Sequence, residues 1–260
     1  MACSGLQPER GGSHQAANPW ESTALQTGPS TPLTEARFDG SQAVGRVLTA
    51  KASPWMHKHL PGKQANEFSY ARVDGRDTMA VKAESSASLM RQDLRVEPQD
   101  LGHVRFSWKV PELIAQADMA RRESDDSPVR IVLAFEGDRS KFSLKNSMLS
   151  ELSHALTGEP LPYATLMYVW CNTRPAGSVI VNPRTDRIRK MVVESGSRNL
   201  NQWLDYERDV RADYEKAFGE PPGALLAIGI MTDTDNTQSK VQAWYGPLRL
   251  QPLAVAQNAH

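Results

Sequence analysis

The chain runs to 260 residues, and its 30 Lys+Arg balance its 30 Asp+Glu, so the formal charge is zero. That balance excludes a nucleic-acid binder working by phosphate neutralisation and a polybasic membrane-surface protein, both of which need a basic excess. Two cysteines exclude a disulfide framework and a cysteine-rich zinc site, and no apolar run approaches the roughly 20 residues of a membrane-spanning helix.

Residues 1–40 are rich in Gly, Ser, Pro, Gln and Thr and have no apolar period. Such a segment buries too little apolar surface to offset its ordering entropy, which predicts a flexible arm. Trp20 and Leu25 stand isolated within it. Ala2-Cys3-Ser4-Gly5 followed by a polar stretch is similar to the start of a mature bacterial lipoprotein. On that likeness Cys3 is the candidate lipidation site, residues 1–40 are the tether, and the protein is exported as a periplasmic or outer-membrane lipoprotein. The other reading is a cytosolic chain with an incidental Cys3. Residues 41–253 are expected to form one β-sandwich domain, with 254–260 a tail.

In chain order, Glu67–Val73 and Thr78–Ala83 are weak strand candidates. Val104, Phe106, Trp108 and Val110 alternate with Arg105, Ser107 and Lys109, the period of a half-buried strand. Pro111–Ala120 suits a short helix opening on proline. Val129, Ile131, Leu133 and Phe135 mark a more buried strand. Leu144–Leu156 is a helix with Leu144, Met148, Leu149, Leu152 and Leu156 on one face, ended by Gly158. Tyr163–Cys171 is apolar on both faces and predicts a central strand, followed by strands at Ser178–Val181 and Arg187–Glu194. Asn201–Phe218 predicts a helix with Trp203, Tyr206, Val210, Tyr214 and Phe218 in a stripe, ended by Gly219. Ala224–Met231 and Val241–Leu250 complete the strands. Nine short strands without strand–helix alternation predict a mainly β fold: an antiparallel jelly-roll-like β-sandwich decorated with two or three helices.

Several segments together resemble one bacterial family. They are Asp125-Asp126 with Arg130, Leu156-Thr157-Gly158-Glu159-Pro160-Leu161-Pro162-Tyr163, Leu166–Cys171, Arg208–Tyr214, and Met231–Thr237 with Ala243-Trp244-Tyr245-Gly246. The family is DUF3047, and the resemblance covers roughly residues 50–250. It implies export or lipid anchoring, as in many members, and brings no activity with it. The closing strand Trp244–Leu250 is also similar, more loosely, to the last strand of jelly-roll carbohydrate-binding modules.

Asp233, Asp235 and Asn236 follow a buried strand, and their oxygens could hold Ca²⁺, the one candidate cofactor; equally, Asp and Asn cap turns. Asp126, beside Asp125, is a weak acid/base candidate in a good turn sequence. Arg130 interrupts an apolar strand and needs a carboxylate, with Asp118, Asp126, Asp209 and Asp213 in view. Tyr163, Tyr168, Trp170, Arg187, Arg189, Trp244 and Tyr245 could line a concave face suited to an acidic glycan, or pack the core and a solvated edge instead. His57 and His59 could point the same way, with no third ligand in view. Cys171 sits in an apolar strand as a small hydrophobe. The resulting expectation is a cell-envelope module that binds a glycan or another polar envelope ligand. The alternatives are a hydrolase or lyase acting on envelope polysaccharide, with Asp126, Asp233 or Asp235 as acid/base groups and Arg130 or Arg187 as the anion clamp, or a structural envelope protein. No nucleic-acid partner is expected, and membrane contact is expected only through a lipid.

Overall fold

The computed structural model describes Trp20 and residues 52–251. Cys3, most of the predicted tether and the 254–260 tail lie outside the described residues. Thirteen strands and two helices follow in order: β1 (Met56–His59), β2 (Glu67–Val73), β3 (Arg76–Glu84), β4 (Ala87–Val96), β5 (His103–Lys109), β6 (Ser127–Phe135), α1 (Leu144–Thr157), β7 (Ala164–Cys171), β8 (Val179–Val181), β9 (Ile188–Ser195), β10 (Trp203–Asp209), α2 (Val210–Phe218), β11 (Leu225–Asp233), β12 (Lys240–Tyr245) and β13 (Arg249–Gln251).

The strands form two sheets, one of seven in the order β1-β4-β11-β6-β7-β9-β8 and one of six built on β10-β5-β12-β3-β2, with β13 also on β5. All pairings are antiparallel except β7 with β9. The molecule is thus a mainly β sandwich with two helices. Period-two alternation sends Val129, Ile131, Leu133 and Phe135 of β6 into the space between the sheets, where they meet Val104, Phe106 and Trp108 of β5. Phe106 stacks on Tyr168 at 5.6 Å across that space. Helix α2 closes one end of the core with Tyr214, whose ring lies 4.7 Å from Phe135. Trp20 is also buried there, edge-on to Trp55 at 4.8 Å.

Three elements differ from expectation. The helix expected over Asn201–Phe218 is a strand followed by a shorter helix. Leu204, Tyr206 and Arg208 alternate with exposed Asp205, Glu207 and Asp209, and β10 pairs along β5. The Asp209 carboxylate accepts from the main-chain N–H of Ala212, so the helix starts there. Pro111–Ala120 is not helical. It is a chain of turns that buries Ile114 and Met119, five residues apart and out of helical phase. The expected strand Val241–Leu250 is broken at Gly246 into β12 and β13. Sequence reasoning also passed over β1 and β4.

Helix α1 forms where its period places it, but it is turned over. Leu144, Met148, Leu152 and Leu156 are 79, 64, 55 and 63% exposed, while Asn146 and Ser150 are buried. Asn146 donates to Asp186 (2.7 Å) and accepts from Thr185 (2.8 Å), and these bonds tie the polar face to the sandwich.

Candidate functional site

The seven-stranded sheet has an outer face as well as the face that meets the core. Arg130, Val132 and Ala134 of β6 point outward, as do Ala227, Met231 and Asp233 of β11, Thr165 and Met167 of β7, and Ile188 of β9. The 110–126 segment and β8 fold over part of this face. Met119 and Ile180 there pack with Met167, Val169, Cys171 and Val192 into a second apolar cluster. What stays open is a groove of about 310 Å³ whose floor is largely aliphatic and whose rim carries Lys63, Arg91 and Arg184. Gly229 belongs to the floor, where a Cβ would stand 2.7 Å from the Met90 carbonyl oxygen of the neighbouring strand.

One end of the groove is charged and buried. Arg130, 3% exposed, donates through one guanidinium nitrogen to the Asp125 carbonyl (2.7 Å) and lies 3.2 Å from both the Asp125 and Asp233 carboxylates. Lys190, 0% exposed, donates to Asp125 (2.5 Å) and to the Met119 carbonyl (3.0 Å). Asn182 donates to the other Asp125 oxygen (3.0 Å). Asp126 accepts from the main-chain N–H of Asn236 (3.2 Å) and from the main-chain N–H (2.7 Å) and hydroxyl (2.6 Å) of Thr237. Lys63 is paired with Asp235. The Asn236 amide donates to the Arg122 carbonyl (3.0 Å). Two loops more than a hundred residues apart in sequence are thereby stitched together beside β11.

Among the described residues, two polar atoms at this end, Asp233 Oδ1 and Arg130 Nε, are buried without a hydrogen-bond partner, and Asp126 stands beside Asp233. Burial pushes the Asp233 carboxyl up to about 6, against the pull of Arg130 and with the help of Asp126 and Asp125. Burial, with Arg130 nearby, pulls the Lys190 amine down to about 8, against Asp125. For Arg130 burial opposes the charge, but Asp233, Asp125 and Asp126 outweigh it and hold its pKa above the usual arginine value.

The sequence-derived candidates divide. Asp126, Arg130, Asp233, Asp235 and Asn236 come together here, and oxygens of Asp126, Asp233 and Asp235 lie within 4.8 Å of one another. The aromatic and arginine set does not converge, and none of its seven members lines the groove. Tyr168 and Trp170 point into the inter-sheet core at 0 and 1% exposure, because the outward positions of β7 are Thr165, Met167, Val169 and Cys171. Tyr245 is buried there too, donating to the Met231 carbonyl (2.6 Å). Trp244 faces out from the other sheet beneath Lys109. Arg187 stacks on Tyr163 (3.9 Å) and pairs with Glu220 (2.6 Å), and Arg189 donates to the Asp186 carbonyl (2.8 Å). The His57 and His59 rings do lie side by side, 4.6 Å apart, with His57 bonded to Ser88 (2.8 Å). Sequence reasoning missed Lys190. Its signal was the one that exposed Arg130: a cation sharing a strand face with Ile188 and Val192.

Residues 53–249 match the family described as Protein of unknown function (DUF3047). No curated protein matches the chain. Among solved structures it is similar to the xyloglucanase domain of a type three effector from Sinorhizobium fredii, solved with cellobiose, at 8% identity, TM-score 0.42, over 78% of this chain and 98% of that one. It is also similar to a mannan-recognising carbohydrate-binding module, at 10% identity, TM-score 0.28, over 77% and 89%. A third likeness is to a protein from a xyloglucan utilization locus in Bacteroides uniformis, at 11% identity, TM-score 0.28, over 75% and 49%.

Proposed function

The chain belongs to the DUF3047 family, whose description names no activity, and from its site we propose that it is a binding module that takes a glycan along the groove of the seven-stranded sheet. The observation that carries this reading is an open groove of about 310 Å³ with an aliphatic floor, bounded at one end by the buried Asp125, Arg130 and Asp233. A largely apolar cleft with a few fixed polar groups at its end and rim is the usual form of a small-ligand site. A sugar ring offers an apolar C–H face for Val132, Met167 and Ile188 and hydroxyls for Arg91, Arg184 and Lys63 at the rim. Aliphatic side chains take the part that stacked aromatics would otherwise play.

A glycan array followed by calorimetry tests the proposal. Ala134→Trp, which fills the groove floor, is expected to weaken binding at least about tenfold while leaving the melting temperature close to wild type. Unchanged affinity in that variant would move the site elsewhere. A second reading is an enzyme acting on polysaccharide. It rests on Asp233, a carboxyl held near 6 and so able to give up or take a proton near neutral pH. Mass spectrometry of the bound glycan after prolonged incubation separates the two: shortened chains that disappear with Asp233→Asn would favour catalysis. We place the module in the cell envelope with Cys3 as its lipid attachment point. Palmitate labelling lost in Cys3→Ala is the expected result, and equal labelling of both forms would remove that address.

A further inference from the structure

Resting on the groove reading, we propose that the ligand of the groove is an amphiphile, a glycan that carries an alkyl or acyl chain, with the sugar at the charged end and the chain along the floor. Polar and apolar residues are segregated along this groove. From Asp233 to Ala227 the floor follows β11 for about 20 Å at a strand's rise per residue. Between those ends the floor is Met231, Gly229, Val132, Met167 and Leu89. The ladders bring these into one patch, with Leu89 opposite Met231, Gly229 opposite Val132 and Val132 opposite Met167. None of their side chains carries an oxygen or a nitrogen, and no aromatic ring is among the described residues that line the groove. The polar side chains still open to solvent lie at the charged end and the rim. The Lys63 and Asp235 side chains are 26 and 14% exposed, Asn182 and Asn236 are half-buried, and Arg184 is exposed. Most charges there already face one another: Lys63 pairs with Asp235, Arg130 with Asp125 and Asp233, and Arg91 with Asp93 and Glu159. Such a set suits a head with several hydroxyls better than a charged one.

A bare oligosaccharide matches only part of this arrangement. One ring can lay its C–H face on Val132 and Met167, but rings further along would hold hydroxyls against side chains that cannot bond them. A polar group taken out of water without a partner is costly. Aromatic stacking would offset that cost, and the groove lining supplies none. An alkyl chain strands no polar group and removes the apolar surface of Leu89 and Met231 from water. Methionine's unbranched thioether adapts to a chain without a fixed shape. Gly229 leaves the middle of the floor without a side chain, so a slender chain can lie close to the backbone there. A chain with no sugar would in turn cover Lys63, Asn182 and Asn236 without replacing the water they bind.

The experiment is calorimetric titration with maltose, octyl maltoside and octylphosphocholine, each below its micelle concentration. Octyl maltoside is expected to bind at least about tenfold more tightly than either of the others. Ala134→Trp, which fills the floor, is expected to remove that gain. Val132→Thr, which keeps the shape and adds a hydroxyl, is expected to weaken octyl maltoside and leave maltose unchanged. If maltose and octyl maltoside bind equally, the groove remains a glycan site and this inference falls alone. If neither binds, the groove reading falls with it. Octylphosphocholine binding as tightly as octyl maltoside would show that no sugar is recognised, and both readings fall. The exposed leucines of α1 are the competing surface for an alkyl chain. A gain that survives Ala134→Trp, or that disappears in the double variant Met148→Gln with Leu152→Gln, places the chain on that helix and overturns the assignment. Should Ala134→Trp fail to fold, Val132→Thr decides: octyl maltoside binding that it leaves unchanged overturns the assignment.

Discussion

Arg130 is the residue on which the charged end depends. It is 3% exposed and faces two carboxylates. Removing it leaves Asp233 without its cation in a dry setting and Asp125 with Lys190 alone, so Arg130→Ala is expected to cost about 3–5 kcal/mol, read from urea unfolding midpoints. Its need for a carboxylate was legible in the sequence, as a guanidinium inside an apolar strand. Its partner was not. Asp233 reaches it through the β6–β11 ladder, where Met231 stands opposite Arg130, and Asp125 arrives from a loop that doubles back. Asp213, which looked equally available, is taken by Arg208. Asp233 itself sets a pH dependence. Its folded-state pKa of about 6 lies above the unfolded value, so the folded chain binds the proton more tightly and this group's contribution falls as pH rises from about 4 to about 6, then stays level. The loss is on the order of 2–3 kcal/mol. Across that range, rising pH should lower the unfolding midpoint of the wild type relative to that of Asp233→Asn.

At the scale of elements, α1 shows what hydrophobic period does and does not determine. The spacing of Leu144, Met148, Leu152 and Leu156 marks a helix, and a helix forms, capped by the Ser143 hydroxyl and ended by Gly158 in the left-handed region. The same period says an apolar face exists but not that it is buried. Here the hydrogen bonds of Asn146 decide the orientation. The ordinary order of substitution effects is therefore reversed on this helix. Met148→Gln and Leu152→Gln are expected to change stability by no more than about 0.5 kcal/mol, whereas Asn146→Ala should cost about 1–3 kcal/mol by stranding Asp186 and Thr185. Chemical denaturation of the three variants checks the ranking. The β10–α2 boundary illustrates the opposite problem. Trp203, Tyr206, Val210, Tyr214 and Phe218 fit one helical stripe, yet the edge of β5 was available for pairing and Asp209 was placed to start a helix. Helical spacing and alternation coexist in those residues, and only the neighbouring strand chooses between them.

For the whole molecule, alternation was enough to fix the class. Trp108 and Phe135, from opposite sheets, are both fully buried in one core. Either one truncated to Ala should cost about 3–5 kcal/mol, with a matching fall in the urea midpoint. Strand order was not legible, because period two says which face of a strand is covered but not which strand lies beside it. Strand β11 is the case in point. It is among the last strands in the chain, yet it sits inside the larger sheet, between β4 and β6. During synthesis, β1 with β4 and β6 with β7 and β9 can form only two separate partial sheets, each with an open edge, until residues 225–233 leave the ribosome and join them. Such late, long-range pairing slows folding and leaves unpaired edges exposed meanwhile. The same strand brings Ala227, Gly229 and Met231 to the groove floor and Asp233 to its end. The groove cannot exist before the larger sheet is whole, so the cleft and that sheet appear in a single step.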